Sequence, residues 1–396
     1  RKRYDIAAVI TALLLINTVA LTFILGETVE NIVTGGGAQS AYAAEIAVDE
    51  GYAANGDVTG DYDPIANVPE GYTAQAITQI GWNSYISGKD NTNMYYYLTE
   101  DISISSYDTV TTLKGILDGN GHTITISIEG SLSGSDTAVG GLFKLIDGGT
   151  VKNVKIEVSL FSIGADNIGV MAGIIAGQST NDAKIENVRV DLNWASNKTY
   201  GSVPDGADGK DKNNENYLYD SSQRQSGASN YLMLGGVVGD IAGDTTIDET
   251  TVSVNANAGK ENLSDTSVGG FGISGWRAKD GVERYYILGG FVGRVNSGLL
   301  TMTNINLEGA GKIYNFNEAY SANDTILGIT IKGRPNTGYA GGIIGEIQAT
   351  SDGGSKSVYI DGLNYLFTGE LKSYNMGSSS NNFGSLIGKN GSDSSL

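Results

Sequence analysis

Cysteine is absent from the 396 residues, which excludes disulfides, thiolate metal ligands and cysteine nucleophiles together. Histidine is nearly as scarce. With His122 alone, no multi-histidine zinc site can be built, and a Ser/His/Asp triad has one residue to draw on. Proline numbers only 4 against 57 glycines, about 14% of the chain where ~7% is usual; this composition excludes a proline-rich linker or a collagen-like repeat. Positive charge is also short, with 25 Lys+Arg against 44 Asp+Glu and a net charge of −19. Such a surface repels phosphate backbones, so nucleic acid is not expected as a partner. The chemistry left open is paired-carboxylate work on sugars or uronic acids. No carboxylate pair with the right spacing stands out, so the expectation is a protein that is not an enzyme and needs no cofactor or metal. The alternative is a polysaccharide-acting enzyme.

Against these absences, 40% of the residues are hydrophobic and 22 are tyrosine, enough for a large core. The chain opens Arg1-Lys2-Arg3-Tyr4-Asp5 and then carries no charge from Ile6 to Leu25. As a helix at ~1.5 Å per residue, this run spans about 30 Å, the hydrocarbon thickness of a bilayer. The preceding basic residues favour a cytoplasmic start and export of the chain beyond Gly26. Three readings compete: a cleaved signal with its small-residue site at Ala41-Tyr42-Ala43, a permanent single-span anchor, and a helix that packs with copies of itself. The last two bury the helix in lipid or in copies of itself, and both place the protein at the cell surface.

Gly35-Gly36-Gly37 breaks the apolar segment, giving a division into an apolar helix over 1–34, a flexible linker or extended arm over 35–71, and a third region over 72–396. The third region begins with apolar residues at helical spacing from Ala76 to Ile86, read as a short cap. Alternating strands come next, such as Tyr95 to Ile104, and a turn at Asp118-Gly119-Asn120-Gly121-His122. A Gly-Gly-apolar-apolar-Gly element then recurs, as Gly140-Gly141-Leu142-Phe143, Ala172-Gly173-Ile174-Ile175, Gly235-Gly236-Val237-Val238-Gly239, Gly289-Gly290-Phe291-Val292-Gly293, Gly341-Gly342-Ile343-Ile344-Gly345 and, altered, Gly384-Ser385-Leu386-Ile387-Gly388. Short strands with recurrent glycine corners describe a solenoid of stacked rungs. The starts are spaced 32, 63, 54, 52 and 43 residues apart, which predicts more than one rung per element, plus loops. Polar or glycine-rich excursions over 196–230, 259–286 and 312–338 read as surface loops. The latter two carry Trp276, Arg277, Tyr285, Tyr286, Tyr314, Phe316 and Tyr320.

The run Tyr97-Leu98-Thr99-Glu100-Asp101-Ile102, the Gly115-Ile116-Leu117-Asp118-Gly119-Asn120-Gly121-His122 turn and the glycine elements together resemble the GLUG-type β-helices of bacterial and archaeal surface proteins. The N-terminal segment, with an acidic residue at position five before an apolar run, is similar to the N-terminal helix of type IV pilins. These resemblances imply an all-β, right-handed parallel β-helix preceded by a single long apolar N-terminal α-helix. They also imply a structural subunit of an extracellular pilin-like filament, present in the membrane before assembly. A membrane-anchored β-helix adhesin that contacts surface glycans or other cells is the alternative. Assembly would rest on Asp5 and Arg1, with Ile6, Leu13, Leu14, Leu15, Val19 and Phe23 as the packing face of a homopolymer. A buried Asp5 carboxylate needs a neighbour's amine or basic side chain.

Asp118, Asn120 and His122 form the sharpest polar cluster. It suits either a carboxylate with a proton partner or oxygen ligands for Ca²⁺, against a turn whose side chains satisfy its own backbone. The last is the favoured reading. Asp147, Asp182, Asp240 and Asp244 stand as isolated acids at turns. Four sequons make Asn197, Asn262, Asn323 and Asn390 candidate N-glycan acceptors in loops or tail.

Overall fold

Period-two alternation turns one side of each strand inward, but the period breaks once in each of five successive rungs. Val151 and Val154 are both buried because Asn153 between them takes left-handed backbone, φ 53°. Asn187, Glu249, Asn304 and Gly362 repeat the kink at φ 49°, 46°, 51° and 65°. Asparagine and glycine are the residues that enter this region at least cost. The kink bends a long strand around the core, and the strands stack in register.

The structure is a computed structural model. It describes residues 55–58, 60, 62–86, 90–105, 110–132, 138–165, 169–193, 231–255, 270–276, 285–317, 326–332, 337–348, 356–373 and 381–391, all within the compact unit Ala47–Ser395. Three faces of parallel strands coil around one core. The first face runs Thr73–Ile77, Met94–Leu98, Ile116–Asp118, Thr150–Ala165, Ala183–Asn193, Thr245–Asn255, then 298–309 of Val292–Gly309, and Lys356–Phe367. The second runs Val110–Leu113, Phe143–Asp147, Ala176–Thr180, Val238–Ala242, the start of Val292–Gly309, Ile344–Ile347 and Ile387–Asn390. The third is a six-stranded sheet of Ala138–Gly140, Val170–Gly173, Tyr231–Gly235, Tyr285–Gly289, Thr337–Gly341 and Asn381–Gly384. This is a parallel β-helix, and one continuous apolar cluster runs through it from Ile77 to Phe367.

Four expectations are corrected. First, the only helix among the described residues is Trp82–Ile86, whose 5 residues span about 7.5 Å at ~1.5 Å each. No helix among the described residues is long and apolar enough to cross a membrane, so what the described residues show is the parallel β-helix alone. Residues 1–34, where that helix was expected, lie outside the described residues. Second, each glycine element marks a single rung. Gly173, Gly235, Gly289, Gly341 and Gly384 stand in one register column, and the uneven spacing comes from insertions between the first and third faces. Third, the excursions over 259–286 and 312–338 contain paired strands. Gly270–Trp276 lies between residues 161–165 and Ile326–Lys332, which in turn pairs with Lys312–Asn317, itself beside Glu370–Ser373. These insertions extend the first face out of sequence order. Residues 196–230 lie outside the described residues. Fourth, Thr73–Ile77 is itself the edge strand of the first face, and the cap helix begins only at Trp82.

The glycine corners are set by close approach. A Cβ on Gly236 would lie 2.0 Å from the Gly290 carbonyl oxygen, and one on Gly290 1.9 Å from that of Gly342. Adjacent rungs therefore meet backbone to backbone there.

Candidate functional site

Two polar constructions stand out on this stack. The first surrounds Asp118, whose side chain is fully buried. The Tyr62 and Tyr95 hydroxyls both donate to its Oδ2. The Asn120 amide at 2.8 Å and Asn153 Nδ2 at 3.1 Å donate to Oδ1, and Lys152 Nζ stands 3.6 Å from Oδ2. A carboxylate has about four acceptor sites, and here all are engaged. Burial, together with the hydrogen bond to Asp118, pushes the Tyr62 hydroxyl up to about 12. Burial, Asp118 and Tyr62 raise Tyr95 further still.

Tyr62 belongs to the segment expected as a flexible linker over 35–71. Where described, that segment is held on the stack. Gly56 packs on the Val154 backbone, and the Asp57 carbonyl accepts from Asn187 Nδ2 at 2.8 Å. Asn187 Nδ2 also donates to Asn153 Oδ1 at 2.9 Å, making a ladder of asparagines along the kink. His122 is not brought to Asp118; its Nδ1 lies 3.3 Å from Asp101 Oδ1. Asn120, at φ 51°, donates its side chain to the Leu98 carbonyl at 3.1 Å. The expected Asp118, Asn120 and His122 cluster is thus a structural knot, and its missing partners were Tyr62, Tyr95 and Lys152.

The second construction is a column on the second face: Gln178, Asp240, Arg294, Glu346 and Lys389 in register. Gln178 Nε2 donates to Asp240 Oδ2 at 3.1 Å, Arg294 Nε to Asp240 Oδ1 at 2.7 Å, and Lys389 Nζ to Glu346 Oε1 at 2.9 Å. The charges alternate along the stack, as directly opposed strand neighbours require. This column faces a second apolar cluster on the outer side of the third face, with Met233, Ile287 and Tyr339 buried and Met171, Tyr231 and Tyr285 packed on them. The Arg294 guanidinium lies 4.5 Å from the Tyr231 ring centroid and Lys389 Nζ 4.4 Å from that of Tyr339, within cation–π range. Burial acts to lower the Lys389 ammonium, but hydrogen bonds to Tyr339 and Glu346 outweigh it and raise the group.

Sequence reading left Asp240 isolated and missed Arg294, Glu346 and Lys389. The signal was present, since each directly follows the closing glycine of a repeat element. Two of the other isolated acids, Asp147 and Asp244, tie turns together, and Asp182 sits in left-handed backbone at φ 62°. Asp147 accepts from Thr180 Oγ1 at 3.1 Å, and Asp244 accepts from the Leu299 amide at 2.8 Å.

Asp5, Arg1, Ile6, Leu13, Leu14, Leu15, Val19 and Phe23 lie outside the described residues, as do Asn197, Asn262 and Asn323. Asn390 closes the strand Ile387–Asn390 beside Ile347, with its Oδ1 shielded from solvent and making no hydrogen bond. Among the described residues no group of three or more His, Cys, Asp or Glu side chains is placed to hold a metal ion. The chain matches no protein-family model, no curated protein and no solved structure.

Proposed function

We propose that this chain is a structural subunit of an extracellular, self-assembling surface filament that displays the β-helix. One observation carries the reading: Asp118, Asp191, Asp240, Arg294 and Glu346, the buried charged residues of the described part, all pair with a neighbouring rung. Desolvated charge is retained where it is paired. Here the pairing tightens the stack instead of converging on a substrate. The sequence adds a charge-free run from Ile6 to Leu25 behind three basic residues, which needs lipid or like partners to cover it.

Electron microscopy of native cell-surface material tests the proposal. Filaments labelled by an antibody to this chain are expected. Single membrane-embedded molecules alone would replace the filament with the anchored adhesin, and turnover of polyuronates or neutral glycans by the purified protein would overturn both.

A further inference from the structure

We infer that copies of this chain stack end to end through the two open ends of the β-helix, so that the first strand of one copy continues the first face of the next. The inference rests on the self-assembly proposed for this chain and names the contact that would serve it.

The two ends are stepped in opposite senses. At the N-terminal end the first face extends beyond the others, because Thr73–Ile77 and Met94–Leu98 precede any strand of the second or third face. At the C-terminal end the second and third faces extend further. Ile387–Asn390 and Asn381–Gly384 form a last level for which the described residues provide no first-face strand, leaving Lys356–Phe367 as that face's outer edge. Thr73–Ile77 of a second copy has the direction and the face to fill this level, since every pairing in the first face is parallel. Unpaired edges of this kind are templates for further pairing, and a head-to-tail contact that does not close generates a filament.

Exposed apolar side chains concentrate at the same two places. Of the seven exposed large hydrophobics among the described residues, five flank the ends: Ile80 and Tyr85 at one, Tyr359, Leu366 and Phe383 at the other. Phe383 continues the inward column of Leu234, Leu288 and Ala340, all fully buried, yet is itself 65% exposed. The core therefore runs bare into the last level.

The register of the first face can be carried across the junction. Ala74, Tyr95, Ile116, Thr150, Lys184, Thr246, Thr301 and Tyr359 form one column. Continuing it sets Ala74 of the next copy beside Tyr359, a small exposed residue against a large one.

Because the chain has no cysteine, cross-linking reads this contact directly in the full-length protein. In-register neighbours on adjacent strands lie within disulfide reach. Full-length Ala74→Cys and Tyr359→Cys chains, mixed and oxidised, should give covalent dimers that neither gives alone, and one chain carrying both changes should give a ladder of multimers. Phe383→Lys, introduced into that double variant, should abolish the ladder. Equal cross-linking by either single variant alone, or none in the mixture while filaments of unchanged repeat persist, overturns end stacking and leaves the filament intact. Absence of both filaments and cross-links overturns both.

Discussion

Arg294 Nε donates to Asp240 Oδ1 at 2.7 Å across adjacent rungs, with both side chains removed from water. Arg294→Leu leaves the Asp240 carboxylate buried without its cation, a change that costs about 3–5 kcal/mol. Urea unfolding should show that loss. Adding Asp240→Asn should recover part of it, because an amide carries no uncompensated charge. Equal stability of Arg294→Leu and the parent would show that the column contributes nothing.

Tyr62 ties the arm to Asp118, and its proton is held up to about 12 against an ordinary 10.0. A group whose folded value is raised contributes stability that is complete below its unfolded value and lost as pH climbs toward the folded one. Melting temperature should therefore fall between about pH 10 and 12. Tyr95, raised through the same carboxylate, adds to the fall. Tyr62→Phe should lower stability at pH 7 by about 1.5–3 kcal/mol, the worth of a hydrogen bond to a charged acceptor, and show a shallower alkaline fall. A parallel alkaline profile in the two proteins would remove Tyr62 from the account.

Glu249 occupies left-handed backbone at φ 46°, where other rungs place Asn153, Asn187, Asn304 and Gly362. Glu249→Gly should raise stability by about 0.4–1 kcal/mol, because glycine adopts this conformation without the clash a Cβ makes. Calorimetry that finds Glu249→Gly less stable than the parent would place the glutamate's value in contacts of its side chain.

Gly290→Ala sets a methyl group where the Gly342 carbonyl oxygen now lies 1.9 Å away. Rungs would have to separate at the corner, costing at least the ~1–3 kcal/mol of an overpacked core. A thermal shift assay is sufficient to see it. Ala substitution at Gly60, which has open space around it, is the control and should be neutral.

What the sequence by itself determined is the periodic part of this protein. Strand alternation, the turn at Asp118-Gly119-Asn120 and the glycine elements act over a few residues, so a solenoid of stacked short strands was legible without any long-range knowledge. The tertiary structure alone decided which residues meet. Asp240 and Arg294 are separated by 54 positions, and Tyr62 and Asn153 by 91. Insertions of differing length set those separations, so linear spacing overstated the rungs per element and left Asp240 without its partner. Strand pairing also depends on which edge is open. Gly270–Trp276 pairs with residues 161–165 of a much earlier strand and with Ile326–Lys332, and no local pattern records which distant edge a strand will join.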